Sequence, residues 1–124
     1  MKTATHYLEE ANAVVPKITV EEGIAKHAAG AATFIDVRDG TDIATSGTIA
    51  GALRIPRGMM EFRADVDHAL HDAALSKDAE LVLICGAGGQ AALAGKTLKE
   101  MGYAHVSNVG GFSAWKDAGG PVED

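Results

Sequence analysis

The fold of this chain is decided by residues 80–91, ELVLICGAGGQA, in which an apolar run leads into a glycine-rich turn. The run from Glu80 to Ile84 is the most apolar of the sequence and is predicted to form a buried strand. Residues Gln90 to Met101 then show helical spacing, with one apolar face and Gly102 as a stop signal. A strand that passes through a tight turn into a helix is typical of α/β folds with parallel sheets.

The rest of the chain also alternates between strand-like and helix-like segments. Predicted strands are Ile18–Val20, Thr33–Val37, Ala52–Ile55, Glu80–Ile84 and His105–Val109, and predicted helices are Thr5–Val15, Glu21–Ala29, Asp42–Ser46, Glu61–Leu75, Gln90–Met101 and Phe112–Ala118. This order predicts a parallel sheet with helices on both faces. Ligands of such sheets bind beyond the carboxyl ends of the strands, where the residues after Ile84 are expected to lie.

Length and composition limit the function classes. The 124 residues are enough for one domain, and we expect a single domain over 1–124. The 17 Asp and Glu residues outnumber the 11 Lys and Arg residues, so the formal net charge is -6. An acidic chain is not suited to general binding of nucleic acid or anionic membranes, since both depend on clustered basic residues.

Cysteine content and hydropathy exclude further classes of protein. Cys85 is the single cysteine, which excludes an internal disulfide and any multi-cysteine metal or iron–sulfur site. The first residues carry no apolar run like that of a secretory signal, and no apolar run approaches the roughly 18 residues of a membrane span. We therefore expect a soluble cytoplasmic protein.

The residues that follow Ile84 can activate a thiol. The glycines at 86, 88 and 89 let the backbone curl, so that successive N–H groups of residues 85–91 can point at one atom. The positive end of the following helix adds to this field and favours a nucleophilic thiolate at Cys85. The alternative is a Cys85 that packs as a small hydrophobic side chain while the glycines merely form a turn.

Three other motifs are weaker interpretations of the same region. Gly86-x-Gly88-x-x-Ala91 imitates a dinucleotide fingerprint, but residues 106–109, about 20 positions later, hold no acidic partner. Gly95-Lys96-Thr97 imitates the end of a phosphate-binding loop but lies inside a predicted helix. Cysteine-dependent phosphatases need an arginine after five intervening residues, and Ala91 stands there.

Four segments, in order and spacing, resemble the rhodanese (sulfurtransferase) homology domain. They are Phe34–Arg38, Gly47–Pro56, the loop that begins at Cys85, and Gly110–Trp115. The resemblance covers about Ile18 to Val122. The leading helix predicted before it, at about 5–15, is similar to that of stand-alone bacterial members of the family. It implies a rhodanese-like α/β fold, with a five-stranded parallel sheet flanked by helices on both faces.

The resemblance also implies an activity. Cys85 would accept a sulfane sulfur from a donor such as thiosulfate or mercaptopyruvate, and would pass it to a thiophilic acceptor such as cyanide, a thiol or a sulfur-acceptor protein. The persulfide anion would be held by the loop N–H groups of Gly86, Ala87, Gly88, Gly89 and Gln90. No metal or organic cofactor is implied.

This sequence departs from the family pattern at several positions. Gln90 stands where thiosulfate-type members often carry arginine, and Thr48 and Ala50 replace the usual histidine and proline. Arg54 and Arg57 could supply the missing charge to a substrate, or they could be ordinary surface arginines.

Asp36 and Arg38 end a predicted strand at the same edge of the sheet, and we expect them to form a structural ion pair near the site. His68 and His71 have the spacing of metal ligands on a helix, but no third ligand accompanies them, so no metal site is expected.

Two rival functions remain open. One is a rhodanese-like sulfur-carrier or binding module with weak thiosulfate activity, which the uncharged Gln90 suggests. The other is a redox sensor that uses the same activated thiol.

Overall fold

The computed structural model describes all 124 residues and contains six strands and six helices. The strands are β1 (Ala32–Asp36), β2 (Thr48–Ile49), β3 (Leu53–Arg54), β4 (Glu80–Cys85), β5 (His105–Gly111) and β6 (Val122–Glu123). The helices are α1 (Ala4–Val14), α2 (Val20–Ala29), α3 (Gly40–Ser46), α4 (Met60–Ala64), α5 (Gly89–Glu100) and α6 (Phe112–Asp117), with a 3-10 turn at Arg57–Met59. None of the helices combines the length and hydropathy needed to cross a membrane.

The main sheet is parallel, with the strand order β3-β1-β4-β5, and the predicted α/β class is confirmed. It has four strands, so the expectation of five was wrong. The predicted strand Ile18–Val20 fails because Thr19 caps α2 in a reciprocal pair of hydrogen bonds with Glu22. Only a single bridge, between Lys17 and Asn108, ties this segment to the sheet.

Each face of the sheet covers its own apolar core, because side chains alternate along a strand. In β4, Leu81, Leu83 and Cys85 belong to the core shared with α4, α5 and Val15, the residue that follows α1. Val82 and Ile84 belong to the opposite core, with Phe112 and Trp115 of α6. The alternation therefore directs the Cys85 side chain toward the face on which α5 packs.

The predicted helix Glu61–Leu75 is wrong beyond Ala64. The backbone at Asp65 is extended, with ψ 113°, and α4 stops there. The carboxylates of Asp65 and Asp72 each accept the N–H two residues further on, at 2.9 Å, and such turns compete with helical hydrogen bonding. Val66, two residues beyond Ala64, is 54% exposed.

Strands β2 and β6 form a small antiparallel pair that joins residues 48–49 to residues 122–123. The Ala50 N–H donates to the carbonyl of Pro121 at 3.1 Å beside this pair. A proline at position 50, as in the usual family pattern, has no N–H to donate. The substitution therefore adds a backbone hydrogen bond that holds the chain terminus in place.

Candidate active site

Cys85 is the last residue of β4, and its sulfur accepts two backbone hydrogen bonds. The Gly88 N–H lies 2.9 Å from Sγ and the Ala91 N–H lies 3.4 Å from it. Gly88 precedes α5 and has φ 98°, a left-handed conformation that glycine adopts without strain. The loop thus folds back so that the N–H groups of Gly88 and Ala91, at the start of α5, face the sulfur.

The sulfur is also buried, because Cys85 is 1% exposed and packs with the apolar core residues on the α5 side. The Cys85 side chain is therefore packed in the apolar core, as one interpretation of the sequence has it, and its sulfur also faces two backbone amides, as the other has it. The remaining loop amides, those of Gly86, Ala87, Gly89 and Gln90, make no hydrogen bond to Sγ. Their predicted role in holding a persulfide stays a prediction.

A polar cavity of about 420 Å³ lies beside the loop. The loop contributes Gly86 and the exposed Gln90 to its lining. The other walls are Arg38, two residues after β1, and Asp42, Thr45 and Ser46 of α3. The cavity has no hydrophobic lining residue, so its chemistry suits a small polar molecule.

Arg38 and Asp36 form the predicted ion pair, with Arg38 Nη2 at 2.8 Å from Asp36 Oδ2. Asp36 Oδ2 also accepts the Thr48 hydroxyl at 2.7 Å. The guanidinium further donates to Ser46 Oγ and to the Gly47 carbonyl, both at 2.9 Å. Arg38 therefore lines the cavity with a charge that Asp36 already balances.

The structure does not bring Arg54 and Arg57 to the cavity beside the loop. Arg54 donates to the Asp124 carbonyl at 2.7 Å and pairs with Glu123. Arg57 donates to Glu61 and to the Thr97 hydroxyl, each at 3.2 Å. Their substrate contact stays a prediction.

Tight backbone packing fixes the entry to the loop. Gly111 pairs with Cys85 across the β4–β5 ladder, and a Cβ on Gly111 would lie 2.4 Å from the Gly86 carbonyl oxygen. Any larger residue would push Gly86 away from β5. Gly111 therefore has to be glycine because a side chain there would collide with the Cys85 loop.

Sequence reasoning missed Asp42, Thr45 and Ser46 as cavity residues. A signal was present, because these polar residues recur at i, i+3 and i+4 on the short helix α3, which begins two residues after Arg38. It also missed Asn108, which contacts the loop from β5 and left no local signal in the sequence.

His68 and His71 lie in the irregular segment that follows α4. His68 Nδ1 accepts the Leu70 N–H at 3.0 Å, and no group of three or more His, Cys, Asp or Glu side chains could hold a metal ion. Residues 68 and 71 lie outside α4, so the helical spacing on which a pair of ligands would depend is absent.

The rhodanese-like domain model matches residues 19–118, most of the chain and all four strands of the main sheet. The chain belongs to the rhodanese-like domain family. Within this family of sulfurtransferases, the chain is similar to the polysulfide-sulfur transferase of Wolinella succinogenes. That structure superposes with a TM-score of 0.76 at 27% identity and covers 94% of this chain and 84% of its own.

Two further proteins are similar to this rhodanese-like domain. A Rhodopseudomonas palustris protein of unknown function, named as a possible tyrosine phosphatase, superposes with a TM-score of 0.93 at 36% identity, covering 99% of this chain and 96% of its own. The mitochondrial protein HIGH ARSENIC CONTENT 1 of Arabidopsis thaliana is 37% identical over 94 residues, 69% of this chain. The chain spans 53% of that plant protein's length.

Proposed function

We propose that this rhodanese-like chain is a sulfurtransferase that carries a sulfane sulfur on Cys85 as a persulfide. The observation that carries the proposal is the pair of N–H groups, from Gly88 and Ala91, that point at Sγ. A preorganised pair of donors stabilises negative charge on the sulfur in the thiolate, and again after sulfur leaves the persulfide.

The proposed reaction has two displacements. The Cys85 thiolate attacks the outer sulfur of thiosulfate or the sulfur of mercaptopyruvate, and the S–S bond of the persulfide forms. From thiosulfate, the S–S bond breaks and sulfite leaves with the electron pair. From mercaptopyruvate, the C–S bond breaks and pyruvate leaves as its enolate, which takes up the proton of the donor's thiol. A thiophilic acceptor then attacks the outer sulfur of the persulfide and restores the thiolate. We propose that the amides of Gly86, Ala87, Gly89 and Gln90, which make no hydrogen bond to Sγ, bind the outer sulfur of the persulfide.

The cavity beside the loop favours donors of low negative charge. Its free charged group is the Asp42 carboxylate, since Arg38 is balanced by Asp36 and Gln90 is neutral. A dianion such as thiosulfate meets repulsion there, whereas mercaptopyruvate carries a single carboxylate. We therefore propose mercaptopyruvate-type donors ahead of thiosulfate.

Mass spectrometry of the intact protein tests the proposal. Incubation with mercaptopyruvate or thiosulfate is expected to add ~32 Da, one sulfur atom on the thiolate nucleophile, and the adduct is expected to disappear with cyanide. The Cys85→Ser variant is the matched control, because it preserves size and lacks the nucleophile. A protein whose thiol is still alkylated but gains no sulfur would contradict the proposal.

A thiocyanate turnover assay and a peroxide treatment of the same protein separate the rival functions. A sulfur-carrier module would take up the sulfur without multiple turnovers of thiocyanate formation. A redox sensor would form a sulfenate with peroxide and take up no sulfur from either donor. The proposed reaction needs no metal or organic cofactor, so prior dialysis against a chelator is expected to leave turnover unchanged. A cytoplasmic location stays a prediction.

A further inference from the structure

Asn108 of β5 lies behind the Cys85 loop and is 2% exposed. Its Nδ2 donates to the carbonyl oxygen of Gly88 at 2.9 Å, and its Oδ1 accepts the Gly110 N–H at 2.8 Å. Both polar groups of the side chain are therefore used. One of them is attached to the residue whose own N–H contacts the Cys85 sulfur.

The backbone of Asn108 is held as firmly as its side chain. Its N–H donates to the Pro16 carbonyl at 2.9 Å, and its carbonyl accepts the Ile18 N–H at 3.0 Å. The β4–β5 register shifts directly after this position, so the chain bulges there. A bulge leaves backbone groups unpaired. The Asn108 side chain supplies the partner that the Gly110 N–H then needs.

Gly88 needs a restraint of this kind. It has φ 98° and no side chain, so its peptide groups can rotate at low cost. Its carbonyl accepts the Ala92 N–H at 3.0 Å as the first hydrogen bond of α5, and Asn108 Nδ2 occupies the second acceptor site of the same oxygen. Two donors from different elements fix the orientation of Gly88 more tightly than the helix bond alone.

We infer that Asn108 is a positioning residue that holds the Gly88 N–H against the Cys85 sulfur and so stabilises the thiolate on which the proposed function rests. An amide suits this position because it donates to one backbone segment and accepts from another. Leucine has nearly the same shape and makes neither bond. Aspartate would lose the donor and add a negative charge near the sulfur.

The rate at which Cys85 reacts with iodoacetamide, measured across pH, tests the inference. The midpoint of this profile reports the stability of the thiolate, and its plateau at high pH reports access to the buried sulfur. Asn108→Leu and Asn108→Ala are both expected to raise the midpoint by roughly half a pH unit to one unit, as a charge-assisted hydrogen bond weakens. If the Asn108→Leu variant does not fold, the Asn108→Ala variant still allows the measurement.

Ser107→Ala is the matched control. Ser107 is the neighbour of Asn108 on β5, and its hydroxyl has no hydrogen-bond partner. Its removal is expected to leave the midpoint unchanged. An unshifted midpoint in folded Asn108 variants, with only a higher plateau or a lower Tm, would overturn the inference, because a purely structural residue alters access and stability alone.

The alkylation profile requires no sulfur transfer, so it separates the inference from the proposed function. A wild-type protein that takes up no sulfur refutes the proposed function, whatever the variants do. A wild-type protein that forms the persulfide, with Asn108 variants that match it in midpoint, refutes only the positioning role. Loss of kcat with little change in KM in the same variants supports that role.

Discussion

The Arg38 guanidinium donates to both carboxylate oxygens of Asp36, with Nε 3.1 Å from Oδ1 and Nη2 2.8 Å from Oδ2. Asp36 is fully buried, and the Arg38 side chain is 9% exposed. The guanidinium also stacks over the Phe112 ring, 4.7 Å from its centre. This pair therefore ties β1 to the start of α6 as well as to the residues before β2.

Arg38→Met is expected to destabilise the fold by about 3–5 kcal/mol, because it leaves the Asp36 carboxylate buried without its cation. Urea denaturation followed by circular dichroism measures the loss. Lys96→Met is the matched control, since it breaks a surface pair with Glu100 and should cost less than about 0.5 kcal/mol. Similar midpoints for the two variants would show that Asp36 does not depend on Arg38.

Gln90→Arg is expected to raise kcat/KM for thiosulfate about tenfold to a hundredfold, since a charge-assisted hydrogen bond to the dianion is gained. Gln90 is exposed and lines the cavity beside the loop, so an arginine can be accommodated there. Thiocyanate formation from thiosulfate and cyanide measures the gain. Gln90→Met removes the amide without adding charge and should show none. A folded Gln90→Arg protein with unchanged or lower turnover would mean that the missing cation is not the limitation.

Asp42→Asn is expected to raise kcat/KM for thiosulfate about threefold at low salt, because a carboxylate in the cavity repels the dianion. The gain should shrink as salt screens the charge. Asp39→Asn changes the net charge equally but lies outside the cavity, at the N-cap of α3, where its side chain makes no capping hydrogen bond. Equal gains from both variants would point to overall charge rather than to the cavity.

Burial of Tyr103 raises the pKa of its phenol above the ordinary value of 10.0, and the Asp65 charge adds to the shift. The neutral phenol donates to the Ala64 carbonyl at 2.7 Å. A raised pKa in the folded state means that this stabilisation is complete below about pH 10 and is lost as pH rises through the folded-state value.

The Tyr103→Phe variant is therefore expected to be about 1 kcal/mol less stable at neutral pH, through loss of the hydrogen bond. The difference should shrink above pH 10. Phenolate absorbance in a Tyr7→Phe background, where Tyr103 is the remaining tyrosine, measures its titration directly. A phenol that titrates at or below its ordinary pH would contradict the assigned cause.

Local patterns were enough to predict the strand and helix that surround the site. The apolar run beginning at Glu80 and the helix ending near Met101 lie within one residue of their predicted bounds, because burial and helical spacing are properties of the segment itself. The predicted helix through residues 65–75 failed for an equally local reason. Aspartate side chains there bond to nearby backbone amides, and this competition is invisible to hydrophobic spacing.

Some features of the candidate site could likewise be predicted from local sequence, and others depend on contacts between distant segments. The glycine-rich loop after β4 and the Asp36–Arg38 pair could be predicted, because each is a short motif near the end of a strand. The contact between Asn108 and Gly88 spans 20 residues and depends on β5 lying beside β4 with a bulge at its end. The α3 wall of the cavity likewise depends on how that helix packs against the loop.

The sequence by itself determined the family, the position of the single cysteine and the glycines that let the backbone turn around it, since all of these follow from residue types close together in the chain. Only the tertiary structure decided which two amides reach the Cys85 sulfur, which side chains border the cavity and which arginines are already paired. Those outcomes depend on long-range packing of strands and helices, where a shift of one residue in register exchanges the faces of a strand.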